Sequence, residues 1–120
     1  MLPKQNRLRA RQDFSTVYQK GIRLNRFALG LRAYRHPIDA REQPPLRVGI
    51  SISSKVSKRA VVRNRIKRQL RSAFRELLPK LENGWDLVIV VYPNALQCDY
   101  PEFLQQLKQL LAQTEILHGD

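Results

Sequence analysis

The sequence predicts one α/β domain in which amphipathic helices cover a sheet, and three observations carry that prediction. Apolar residues recur at helical spacing in three segments, they alternate or run continuously at strand length in three others, and these segments interleave as helix, strand, strand, helix, strand, helix. A chain of 120 residues buries about two thirds of its unfolded surface, enough to fold without metal or disulfide. The domain is expected to fill residues 1–120, with roughly 1–10 as a flexible N-terminal arm and 114–120 as a tail.

The first element is a short helix over Arg11 to Lys20. Phe14, Val17 and Tyr18 fall at i, i+3 and i+4, Asp13 lies near the amino end, and Gly21 stands where a carboxyl cap belongs. Phe27, Leu29, Leu31 and Ala33 then alternate with Ala28, Gly30, Arg32 and Tyr34, the pattern of a strand with one face in the core; Ile22 to Asn25 leaves room for a separate short strand before it. His36 to Leu46, with Pro37, Pro44 and Pro45, is a loop. Arg47 to Ser53 alternates again, and the two alternating strands are expected to be antiparallel neighbours. Ser54 or Ser57 offers an amino cap for a helix from about Ala60 to Leu78, which Pro79 ends. Within it Val62, Ile66, Leu70, Ala73, Phe74 and Leu77 share about a third of the circumference, and nearly everything else is Arg, Lys, Asn or Gln. Asn83-Gly84 marks a turn, Asp86 to Tyr92 reads as a strand buried on both faces, and Pro93 ends it. A last helix begins near Pro101, with Phe103, Leu104, Leu107, Leu110 and Leu111 as its apolar stripe.

Charge separates the chain into two parts. Residues 1–75 carry 20 basic and 3 acidic side chains, residues 76–120 carry 2 and 7, and the net charge is +12. Between Gln43 and Arg75 there are ten Lys or Arg and no Asp or Glu. Such density repels itself in a folded protein and is tolerated where phosphates neutralise it, so the expected partner is a polyanion. A disordered basic tail does not fit, because apolar residues interrupt this run at helical spacing.

The residues of the basic helix also carry a resemblance. The run Arg63-Asn64-Arg65-Ile66-Lys67-Arg68-Gln69-Leu70-Arg71, preceded by Ala60-Val61-Val62 and followed by Phe74, resembles the arginine-asparagine-arginine signature of the bacterial ribonuclease P protein family. Asp13-Phe14 with Val17-Tyr18 and Gly21 is similar to that family's first helix, Arg47-Val48-Gly49-Ile50-Ser51 to the strand before the basic helix, and Asp86 to Val91 to the strand after it. In order and spacing these segments cover about 100 of the 120 residues. The resemblance implies a two-layer α+β sandwich like the second domain of a small-subunit ribosomal protein, with a four-stranded sheet and a left-handed βαβ crossover through the basic helix. Periodicity by itself gives a basic helix lying on a sheet, charged side outward.

The resemblance further implies two RNA-binding surfaces. Arg59, Arg63, Asn64, Arg65, Lys67, Arg68 and Arg71 would lie against a catalytic RNA, the arginines donating bidentately to phosphates. For Asn64 both a local backbone hydrogen bond and a ribose contact are open. The second surface would be a cleft between the first helix and the sheet, holding the single-stranded 5′ leader of precursor tRNA. Phe14 and Tyr18 match its aromatic positions, where base stacking is worth about 1–3 kcal/mol; Phe14 alternatively anchors the helix to the core. Lys55, Lys58, Arg11 and Lys20 would add phosphate contacts. Two positions depart from the family pattern: the turn Ser54-Lys55-Val56-Ser57-Lys58-Arg59 lacks the glycine often present there, and Gly30 stands where a larger residue is common.

A catalytic or metal-binding set is not expected in the protein itself. His36 lies in a Pro-bounded loop and His118 in the terminal tail, both expected as surface side chains, and residues 43–75 hold no carboxylate that could bind a pair of metal ions. The resemblance implies that the partner RNA performs Mg²⁺-dependent phosphodiester hydrolysis and holds the ion, with ribonuclease P RNA and precursor tRNA as partners and no obligate protein partner. The single Cys98 forms no internal disulfide, Met1 to Arg11 lacks an apolar signal core, and the longest apolar run, Leu87 to Tyr92, is too short to span a bilayer. A cytoplasmic protein without a membrane partner is expected. A structural ribosomal protein is the alternative from a different class, and a DNA-binding module ranks below it because no helix-turn-helix spacing or dimerisation segment is present.

Overall fold

The most continuously apolar stretch of the chain takes an interior place in the sheet. In a computed structural model, which describes residues 2–37 and 43–117, helices form over Arg11–Lys20 (α1), Ala60–Leu77 (α2) and Tyr100–Gln113 (α3), and strands over Ile22–Asn25 (β1), Leu29–Arg35 (β2), Arg47–Ile52 (β3) and Trp85–Val91 (β4). The four strands pair in the order β1-β2-β4-β3, with β4 antiparallel to β2 and parallel to β3. The fold is therefore α+β, a mixed four-stranded sheet with three helices.

This order corrects the expectation that β2 and β3 are neighbours. β4 lies between them. Its run from Leu87 to Ile89 is fully buried, and a strand with no polar face is best satisfied with a hydrogen-bonding neighbour on each side. β3 instead feeds α2, which carries the chain back so that β4 re-enters parallel beside it, with Ile50 opposite Ile89.

A second correction concerns β2. Alternation suggests one buried face, yet Leu29, Leu31 and Ala33 are buried on one side and Gly30 and Arg32 on the other. Phe27 falls outside the strand and is 59% exposed, because the Arg26 N–H donates to Leu29 O at 2.8 Å and closes a turn around it.

The main core lies between the sheet and a helical layer. Ile66, Leu70, Ala73, Phe74 and Leu77 of α2 meet Phe103, Leu107, Leu110 and Leu111 of α3 over Leu29, Leu31, Leu87 and Ile89. α1 covers part of the opposite face, where Val17 packs with Leu8 and Val88. α3 starts at Asp99, whose carboxylate accepts the Glu102 N–H while the Glu102 carboxylate accepts the Asp99 N–H, both at 3.1 Å. This reciprocal cap places the helix start just before Pro101.

Both terminal segments pack on the domain. Residues 2–8 pack on the sheet: Leu2 and Leu8 are buried, Asn6 Nδ2 donates to Leu46 O at 2.7 Å, and Arg7 bridges Val48 on the outer edge of β3. Two leucines and a satisfied amide attach this segment to the sheet. At the other end Glu115 turns the chain at φ 62°, Ile116 is buried, and Leu117 bridges Leu81. His118 lies outside the described residues.

Candidate nucleic-acid interface

On α2 the buried stripe leaves a charged one. Asn64, Arg65, Arg68, Arg71 and Arg75 are exposed, and steps of three and four residues align them along a helix roughly 27 Å long. Lys67 is half-buried. At the helix start Arg59, and neither Ser54 nor Ser57, occupies the capping position, and no side chain caps the first N–H groups. With no acid in the first turn, the positive end of the helix dipole adds to the arginines.

Arg63 differs from its neighbours. Its guanidinium donates to Ile52 O at 2.9 Å, Ser53 O at 3.0 Å and Ser57 O at 3.2 Å, tying the first turn of α2 to the loop before it. Sequence places Arg63 among the phosphate donors; in the structure its donors face the protein's own carbonyls. The glycine-free loop is held in other ways. Ser53 Oγ accepts the Lys55 N–H and Ser57 Oγ the Arg59 N–H, each at 3.1 Å, and Val56 plugs into the core. Serine side chains thus make the turns, and no residue of the loop has positive φ. Lys55 and Lys58 are left exposed on it.

The second candidate surface is the sheet face under α1. Register places Arg23, Arg32, Val88 and Gly49 in one row and Asn25, Gly30, Val90 and Ser51 in the next. α1 covers the Val88–Gly49 end: the Phe14 ring is half-buried and presses on Gly49, where a Cβ would strike it. Tyr18 is 45% exposed, and Arg11 and Lys20 are also exposed. At the other end, the space that Gly30 leaves is filled by Tyr92 and Asn25. The Tyr92 hydroxyl donates to Asn25 Oδ1 at 2.6 Å and accepts from Arg32 Nη2 at 3.4 Å. Sequence reasoning assigns none of these three polar residues to the site. Arg32 and Asn25 sit on the strand face opposite the main core, which is legible; Tyr92 reaches Gly30 from beyond the end of β4, which is not.

Further along the same face, in the row of Tyr34, Asp86 and Arg47, the charges are closed on each other. Asp86 is buried and accepts two hydrogen bonds from Arg47, at 2.9 and 2.7 Å. Arg47 also lies 3.2 Å from Asp13, which fastens α1 to the sheet, and the Asp86 hydrogen bonds lead the effects that hold its guanidinium even more firmly protonated than usual. His36, expected at the surface, is partly buried with Nε2 3.0 Å from Asp86 Oδ2, its ring edge-on to Tyr34. The carboxylates nearest the basic surface are therefore engaged by arginine. Among the described residues no group of three or more His, Cys, Asp or Glu is placed to hold a metal ion. Burial pushes the Cys98 thiol up, away from a nucleophilic thiolate. No described helix is long and apolar enough to cross a membrane.

Known proteins are similar to this chain in sequence and fold. The family model described as ribonuclease P matches residues 2–115. The ribonuclease P protein component of Cyanothece sp. (strain PCC 7425) is 58% identical, with 99% of each chain covered. That of Nostoc sp. (strain PCC 7120) is 48% identical over 98% of this chain and 97% of its own. Among solved structures, the Staphylococcus aureus RNase P protein superposes with a TM-score of 0.81 at 23% identity, covering 96% of this chain and all of that one, and the Thermotoga maritima RNase P protein with 0.76 at 25%, covering 94% and 98%. Fold, basic helix and sequence agree, and the chain belongs to the bacterial ribonuclease P protein family, as the protein component of the endoribonuclease of tRNA processing.

Proposed function

We propose that the exposed stripe of α2 docks on the catalytic RNA of ribonuclease P, and that the sheet face beside α1 holds the single-stranded 5′ leader of precursor tRNA. The observation that carries this reading is the sorting of the arginines. Arg63 braces the loop, Arg47 neutralises Asp86, and Arg65, Arg68 and Arg71 remain exposed on one side of the helix, one turn apart, where they can meet several phosphates at once. Asn64 shares their stripe, Arg59 and the open helix start lie at its end, and Lys67 lends a half-buried stem with a charged tip.

On the leader side Tyr18 supplies the exposed ring. Phe14, pressed on Gly49, serves the wall of the cleft more than its floor. Lys55, Lys58 and Arg11 are exposed cations that track the leader backbone, and Arg32 with Tyr92 and Asn25 gives the floor a polar edge. Stacking with backbone contacts tolerates many leader sequences, which suits an enzyme acting on many precursors. The divalent ion of hydrolysis belongs to the RNA in this reading. The polypeptide's part is screening, positioning and grip, carried out in the cytoplasm, with the RNA and its substrate as sufficient partners.

The test is the salt dependence of assembly. Removing one phosphate-binding cation lowers the slope of log affinity against log salt by roughly 0.7–0.9, so Arg65→Ala and Arg68→Ala should each flatten it by about that amount. A slope that stays at the wild-type value in both variants would remove α2 from the interface. A structural ribosomal protein would give no stimulation of precursor cleavage by the partner RNA.

A further inference from the structure

The outer edge of β3 carries a cavity that lies between the two surfaces described above and shares Arg71 with one and Phe14 with the other. It holds about 310 Å³ of solvent-open space and lies where the N-terminal segment, α1, β3 and α2 meet. Leu8, Phe14 and Ile50 form apolar walls, and Arg9 and Arg71, both exposed, stand at the rim. Among the described residues, groups from outside the sheet reach this edge on either side of Ile50. Val48 O accepts the Leu8 N–H at 3.0 Å and Ile52 O accepts from Arg63 at 2.9 Å. The two-residue period of a strand turns the Ile50 N–H and C=O to the same side, between those two blocked positions. β3 is the last strand of the sheet, and among the described residues only Arg7, opposite Val48, bridges its outer side.

We propose that this cavity receives one unpaired base of the catalytic RNA, a site that rests on the α2 docking described above. A nucleobase has two apolar faces and a hydrogen-bonding rim, which matches side walls of Leu8, Phe14 and Ile50 with one open main-chain donor and acceptor at the back. The volume falls at the low end of the roughly 300–1,000 Å³ of ligand sites and excludes a duplex. Arg71 belongs to the α2 stripe, so a strand following that stripe reaches the cavity with its next phosphates, and Arg9 meets the backbone on the far side. A peptide strand is the poorer occupant, because pairing needs a run of open backbone and here one residue is open. Phe14 is shared between this cavity and the leader cleft, so a base seated here presses on the wall that shapes leader binding.

The experiment is base-specific chemical modification of the partner RNA in the assembled enzyme, with and without precursor tRNA. It compares wild type with Ile50→Trp, which fills the cavity without changing charge, and with Arg9→Gln on the exposed rim. One unpaired base of the partner RNA should be protected by the wild-type protein, become roughly tenfold more reactive with Ile50→Trp as its stacking is lost, and become more reactive to a smaller degree with Arg9→Gln. Backbone protections that depend on Arg65 and Arg68 should persist in both variants. If those protections persist and no base of the partner RNA responds to either variant, or if the responding base lies in the leader, the cavity is not this site while α2 docking stands. If the wild-type protein gives no backbone protection at all, both readings fail together. Should Ile50→Trp not fold, Arg9→Gln decides alone.

Discussion

Arg63 and Arg65 are two residues apart and carry the same group, yet they face different environments. Arg63 satisfies three carbonyls of the loop before α2, whereas Arg65 is exposed. Arg63→Ala should therefore cost about 1–2 kcal/mol of folding stability, a fall of roughly 3–8 °C in thermal midpoint, while Arg65→Ala leaves the midpoint unchanged. Equal midpoints for the two variants in a thermal melt would mean that the Arg63 bonds add nothing to the fold. Glu115 offers the opposite sign. It holds φ at 62°, in a region where a Cβ costs roughly 1–2 kcal/mol and where helix ends usually place glycine. Glu115→Gly should raise the midpoint by roughly 3–8 °C, and a lowered midpoint would show that the side chain repays that strain elsewhere.

At the scale of elements, the helices are well marked in the sequence because each buries a continuous stripe. α1 runs over the ten residues Arg11–Lys20 as expected, and α2 over Ala60–Leu77, one residue short of the expected end. Pairing order is not legible. Alternation in 47–52 and 29–35 tells which residues face the main core but carries no information on which edge meets which, and the double-sided burial of β4 is the one cue that it sits inside. The cap of α2 misleads for a similar reason: serines at 54 and 57 suit a cap, while the Ser57 hydroxyl finds its partner within the loop. The packing of α1 on the sheet depends on a glycine whose importance shows only in three dimensions. Gly49→Ala would set a methyl group against the Phe14 ring, and such overpacking costs about 1–3 kcal/mol. Combining it with Phe14→Leu should recover part of the loss, because the two changes share one space. Strictly additive losses in denaturant titrations would show that the ring has room to move aside.

Across the whole molecule, charge is distributed so that one part of the chain can approach an RNA and the other cannot. Residues 1–75 hold 20 of the 22 basic side chains, and residues 76–120 hold 7 of the 10 acidic ones. The net field is positive and attracts a polyanion, most strongly when little mobile salt screens it: the screening length is about 10 Å at 0.1 M and about 3 Å at 1 M. On the proposed docking, Mg²⁺ and the protein's guanidinium groups would neutralise the same phosphate repulsion between RNA helices and between ribozyme and substrate. They are therefore partly interchangeable in that role, though not in the chemistry assigned to the RNA-bound ion. The stimulation of precursor cleavage by this chain, measured as the ratio of rates with and without it, should accordingly be greatest at the lowest Mg²⁺ that supports cleavage and should decline towards unity as Mg²⁺ rises. Arg68→Ala should shift that decline to lower Mg²⁺. Leader binding predicts a residual that Mg²⁺ does not erase, seen as a lower KM for precursors with a leader than for those trimmed to a single leader nucleotide. A stimulation that is flat across Mg²⁺ and blind to leader length would assign the chain's contribution to neither electrostatics nor grip, and would leave the basic stripe of α2 without a function in catalysis.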